Sequence, residues 1–143
     1  MSKKKQKIAD LTANDQEAGL NPHYTGYFHC FNRGLFFEAH EVLEVLWLID
    51  RRGLDGAFYK GLIQLAGAFV HLQKQRPGPA AALFRLARTN LGAYPRHHHR
   101  LNVAGTIELI DHWQKLLAKD GGTPALLRDA SMPKLELLKR TDA

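Results

Sequence analysis

Between residues 21 and 120, apolar side chains recur at helical rather than strand spacing, and glycine, proline and capping residues cut the stretch into five segments. Asn21-Pro22 is a helix start, with asparagine as N-cap and proline at the first helical position. Tyr24, Phe28 and Phe31 then share a face, and Gly34 ends the segment. A second helix begins at Leu35 and is closed by Arg51-Arg52-Gly53, whose cations suit the negative end of the helix dipole. Asp55 stands where it can cap a third. Pro77-Gly78-Pro79 separates that helix from a fourth, with Leu83, Leu86, Ala87, Asn90 and Leu91 as its inner stripe. Asn102 can cap a fifth, whose apolar face is Leu109, Ile110, Trp113, Leu116 and Leu117, before Gly121-Gly122 stops it. The pattern predicts helices over residues 22–33, 35–50, 56–75, 79–92 and 103–119, with no strand or hairpin signal. The expected fold is all-α: a compact antiparallel multi-helix bundle of about five helices with a C-terminal arm. Residues 1–20 read as a flexible basic N-terminal tail that packs little, 21–120 as the helical domain, and 121–143 as a C-terminal arm or short helix.

The second and third helices depart from ordinary amphipathicity. At about 100° per residue, Phe37, His40, Glu41, Glu44, Trp47 and Leu48 occupy one arc of the second helix, while Ala39, Val42, Leu43 and Leu46 make the opposite side apolar too. Glu38 lies outside that arc. A helix apolar on both sides is central in a bundle, which places His40, Glu41 and Glu44 in the interior or along a cleft. On the third helix Lys60, Gln64, Gly67 and His71 form one narrow stripe, and Gly61, Ala66, Gly67 and Ala68 thin the helix for a close neighbour. Facing stripes on these two helices predict a direct hydrogen bond or ion pair between Glu41 or Glu44 and at least one of Lys60, Gln64 and His71, because an unpaired buried carboxylate costs several kcal/mol or takes up a proton.

Three readings of the cluster stand side by side. It is a structural network of satisfied buried groups; or a metal site built on His40 and Glu44 with help from His71 or Glu41; or a small-ligand or catalytic pocket in which Glu41 is a base, His71 an acid and Lys60 the holder of a small anion. The leading reading is a small helical protein of unknown biochemical role whose buried Glu/His/Lys cluster either locks the fold or binds a small ligand; the alternative is a hydrolase-type or metal-dependent enzyme using the same cluster. The sequence names no cofactor, metal or catalytic residue, and it carries no glycine-rich phosphate loop, serine nucleophile elbow or zinc-finger spacing.

Composition changes this picture in three places. A chain of 143 residues suggests one domain, and no apolar run is long enough to span a bilayer. The basic start lacks an apolar stretch behind it, so no secretory signal is expected, and the single Cys30 excludes an internal disulfide; a cytoplasmic protein is the expectation. The net charge is +6, and from Gly56 to Ile107 there is no Asp or Glu. This basic block at 56–107 raises nucleic-acid binding as an alternative, although it lacks the interleaved aromatic residues of single-strand binders and any recognition-helix motif. Arg96 and Arg100 flank His97-His98-His99, would repel a divalent cation, and place the triplet in an exposed loop. Trp47 and Trp113 read as core aromatics and Cys30 as a buried thiol. A homo-oligomer remains open.

The segment from Phe31 to Trp47, with Glu38-Ala39-His40-Glu41, Glu44 and Trp47, and the segment Lys60-Gly61-Leu62-Ile63-Gln64 with His71, closely resemble the bacterial and archaeal family known as domain of unknown function 309. The resemblance runs roughly from Pro22 to Leu117. It implies a compact all-helical domain and points at Glu38, His40, Glu41, Glu44, Trp47, Lys60, Gln64 and His71; it implies no activity.

Overall fold

The computed structural model describes residues 3–12, 19–120 and 132–139. Within them the protein is an all-α bundle of six helices: α1 (Lys3–Thr12), α2 (Pro22–Asn32), α3 (Phe36–Asp50), α4 (Gly56–Gln73), α5 (Pro77–Leu91) and α6 (Val103–Asp120). A short antiparallel hairpin, β1 (His97–His98) and β2 (Leu101–Asn102), sits between the last two. The five expected helices are all present, each within a few residues of its predicted limits. None of the described helices is long and apolar enough to cross a membrane.

Local chemistry accounts for the boundaries. The Asn21 side chain accepts from the His23 amide at 2.8 Å, with Pro22 in the first turn. Gly34, at φ 76°, ends α2. There the amides of Leu35 and Gly34 return to the carbonyls of Cys30 and Phe31, so the left-handed residue satisfies two orphan acceptors. Asn102 caps α6, its Oδ1 accepting from the Gly105 amide at 2.9 Å. α4 is the central helix, with Phe58, Leu62, Leu65, Ala66, Ala68 and Phe69 fully buried. Its thin side works as the sequence suggests: a Cβ at Gly61 would come within 2.9 Å of the Leu91 side chain, so α5 can lie this close only against glycine. Phe31, Phe36, Phe69, Phe84 and Trp113 form a chain of ring contacts through the core. Cys30 is buried, and Trp47 is partly buried against the core edge.

Two expectations need correction, and a third narrows to one of its alternatives. The N-terminal segment is not loose over its described part: α1 docks on the bundle and buries Ile8 to 5% exposure. Its lysines find carboxylates there, which composition alone does not reveal. The histidine triplet is not an irregular loop but the tip of the β1–β2 hairpin. Of the two alternatives for the C-terminal segment, the described residues 132–139 take the extended arm. Asn32 clasps the arm through both backbone groups of one residue: Nδ2 donates to the Leu135 carbonyl at 2.8 Å, and Oδ1 accepts from the Leu135 amide at 2.6 Å. Gly121-Gly122 and the turn around Pro124 lie outside the described residues.

Candidate functional site

α3 places Glu41 and Glu44 one turn apart, and α1 places Lys4 and Lys7 one turn apart. The two pairs meet. Lys7 Nζ donates to Glu41 Oε1 at 3.2 Å and lies 5.6 Å from the Phe37 ring centre. Lys4 Nζ is 3.4 Å from Glu44 and 4.0 Å from Glu41. Lys7 matches the earlier carboxylate and Lys4 the later one, so α1 runs antiparallel along this face. Glu41 is the buried member, at 8% exposure. His40 Nε2 is 3.3 Å from the second oxygen of Glu44 on the same helix. Glu38 stands half-buried in the first turn of α3, where the helix dipole favours a carboxylate.

The stripe on α4 does not answer this face. Lys60 holds its ammonium 4.4 Å from the Trp47 ring centre, a cation–π contact that joins α4 to α3 without a carboxylate. Gln64 Oε1 accepts from Asn90 Nδ2 of α5 at 2.7 Å. His71 Nδ1 is sealed from solvent and has no hydrogen-bond partner among the described residues. Burial of that ring, with Arg76 and Lys74 nearby, holds the His71 imidazole below its ordinary pKa. The expected bond from Glu41 or Glu44 to Lys60, Gln64 or His71 is therefore absent among the described residues. The physical reason is a closer source of cations: α1 supplies two ammonium groups, leaving the α4 stripe to Trp47 and α5. His40, Glu41 and Glu44 come together, and Trp47 joins Lys60; Glu38, Gln64 and His71 stand apart from both groups.

A second constellation lies at the opposite end of the α3–α4 connection. Asp55 occupies the N-cap position of α4 but makes no capping bond with its side chain. Tyr94 takes that duty: its hydroxyl accepts from the Phe58 amide at 3.0 Å and donates to the Leu54 carbonyl at 2.7 Å. The freed carboxylate turns to the hairpin. Oδ1 is 2.7 Å from His98 Nε2, and Oδ2 is 2.7 Å from His99 Nε2. An ionised carboxylate only accepts, so both Nε2 atoms carry the donated hydrogens. Partial burial raises the Asp55 pKa, and the two hydrogen bonds outweigh it, leaving the carboxyl below its ordinary value. His99 and Arg100 both take the left-handed conformation, at φ 46° and 62°. Two consecutive positive φ values make the tight turn that suits a two-residue hairpin and are strained for non-glycine residues. The strain is held in place: Tyr24 donates to the His99 carbonyl at 2.8 Å, and the Leu138 amide donates to the Arg100 carbonyl at 2.7 Å.

Residues 24–91 match the family model described as Domain of unknown function (DUF309). No curated protein and no solved structure matches the chain. Glu41, Glu44, Trp47, Lys60 and Asp55 lie inside the matched segment; Lys4, Lys7, His98 and His99 lie outside it. Sequence reasoning missed the lysines because residues 1–20 read as a tail, and the hairpin histidines because the flanking Arg96 and Arg100 argue against a cation there. A signal existed for the first: Lys4 and Lys7 repeat the three-residue spacing of Glu41 and Glu44.

Proposed function

We propose that the protein is a binding module in which the carboxylate face of α3 receives a lysine-bearing helix, a role that α1 fills within this chain. The observation carrying this reading is the matched pair of contacts, Lys7 to the buried Glu41 and Lys4 to Glu44, between a family-segment helix and a helix outside that segment. The Lys7 ammonium beside the Phe37 ring and the burial of Ile8 add to the charge match. A pocket enzyme with Glu41 as base is less well supported, since Oε1 already accepts from the Lys7 ammonium and a second ammonium, that of Lys4, lies 4.0 Å from Oε2. The lysines that α1 places on this carboxylate face point to a cationic partner. The single, buried Cys30 supports a cytoplasmic setting.

The test uses full-length chains and a lysine-rich amphipathic peptide followed by fluorescence anisotropy. Lys4→Glu with Lys7→Glu should release α1 and make peptide binding tighter than in the unsubstituted protein, with the affinity falling as salt rises. Adding Glu41→Gln and Glu44→Gln should remove that binding. Peptide binding indifferent to the two carboxylates would overturn the reading.

A further inference from the structure

We propose that Asp55, His98 and His99 form a binding site for a divalent transition-metal ion of the zinc class. The three donor atoms, one carboxylate oxygen and two imidazole nitrogens, lie within 4.8 Å of one another. Tetrahedral zinc with bonds of about 2.1 Å separates its ligand atoms by roughly 3.4 Å. The two contacts of 2.7 Å must widen slightly, an adjustment within the reach of side-chain rotation. Two imidazoles and one carboxylate are a donor set that borderline divalent metals accept, with a remaining position for water. For the ion to enter, each neutral imidazole passes its hydrogen from Nε2 to Nδ1 by exchange with solvent, which frees the Nε2 lone pair for the metal and leaves the ring neutral.

Features beyond proximity support a built site. The carboxylate best placed to cap α4 is withheld from capping, and Tyr94 caps in its stead. The turn that presents both imidazoles is strained, and its carbonyls are pinned from α2 and from the C-terminal arm. The rings are fixed by aromatic neighbours: His98 lies 4.8 Å from Phe58 and 4.9 Å from Tyr94 between ring centres, and His99 lies 6.0 Å from Tyr24. Such support holds ligands in place before the ion arrives. Two positive influences oppose a cation. The N-terminal end of α4 carries roughly half an elementary charge, less than the full charge of Asp55. Arg100 directs its Nε to the Leu138 carbonyl at 2.7 Å.

The experiment is zinc titration of the full-length protein against a chromophoric chelator, with cobalt absorption as a second readout. One zinc should bind per chain, cobalt should show a tetrahedral-type visible band, and zinc should raise the melting temperature, because the ion binds only the folded state. His99→Gln, at the most exposed of the three ligands, should keep the fold and weaken zinc by at least about 100-fold, the upper end of the loss from removing an outer-sphere partner. Asp55→Asn should do the same, whereas His97→Ala and His112→Ala should leave affinity unchanged. Absence of saturable zinc binding, or binding that survives His99→Gln and Asp55→Asn in folded protein, would overturn the proposal.

Discussion

Glu41 and Asp55 are both carboxylates held by two groups from a distant part of the chain, and they arrive there by opposite routes. Glu41 sits mid-helix on α3, where helical periodicity fixes its direction and burial demands a partner; α1 provides Lys7 and Lys4. Asp55 sits at a helix start, where its ordinary role is local, and is drawn from that role by Tyr94 and the hairpin histidines. The first site is an exchange of charge between two regular helices with matching spacing. The second depends on irregular backbone, two consecutive positive φ values and a substituted cap. A periodic face announces that a partner is needed, whereas a local rule left unused is what marks the second site.

The largest expected effect comes from removing α1. Deleting residues 1–18 exposes the surface that Ile8 covers, costing about 1.5–3 kcal/mol for that side chain alone, and leaves Glu41 without its lysines. Thermal unfolding should shift down by several degrees, while zinc affinity at Asp55 stays unchanged. A simultaneous loss of both would show that the two regions are one cooperative unit and break the comparison.

Tyr94→Phe comes next. It strips the Phe58 amide of its acceptor and should cost about 1–2 kcal/mol, in the range of a lost N-cap, measured by urea unfolding. It also sharpens the comparison, because Asp55 can then swing back to cap α4. Zinc affinity should fall even though no ligand is changed. Unaltered zinc affinity would mean that Tyr94 and Asp55 do not exchange the capping role.

The smallest effect is a pH dependence on the α4 stripe. His71 has a folded pKa below the ordinary 6.5, so the unfolded chain binds its proton first. The stability associated with the neutral ring is complete above that value and declines as pH falls from 6.5 toward the folded pKa. His71→Leu should flatten this acidic slope in urea titrations between neutral and mildly acid pH, and should leave both carboxylate sites intact. An unchanged slope would assign the pH dependence to other groups.

The sequence carried the helices because their signals are local: Asn21-Pro22, Gly34 and Asn102 act as expected within a few residues of chain. It also picked out His40, Glu41 and Glu44 as a group, since one helix face is a matter of periodicity. It paired them wrongly because facing stripes on adjacent helices were assumed to satisfy each other. Lys60 instead finds an aromatic face on α3, and Gln64 an amide on α5. The Asp55 constellation was hidden for a different reason. Arg96 and Arg100 made the histidines look repulsive to cations, and nothing local says that the turn carries His98 and His99 across to the start of α4. Asp55 stands where a cap is expected, a role that only tertiary structure reassigns to Tyr94.

The central claim is that α1 is held on the family segment by the two carboxylates of α3, and a double-mutant cycle on Lys7 and Glu41 tests it most directly. Lys7→Gln, Glu41→Gln and the double variant would be compared by urea unfolding at low salt. The account predicts a coupling of about 0.5–1 kcal/mol, the upper range for a pair with a half-exposed lysine, shrinking as salt is added. Strictly additive single changes would contradict it, because Lys7 and Glu41 would then not meet and α1 would have no electrostatic seat on α3.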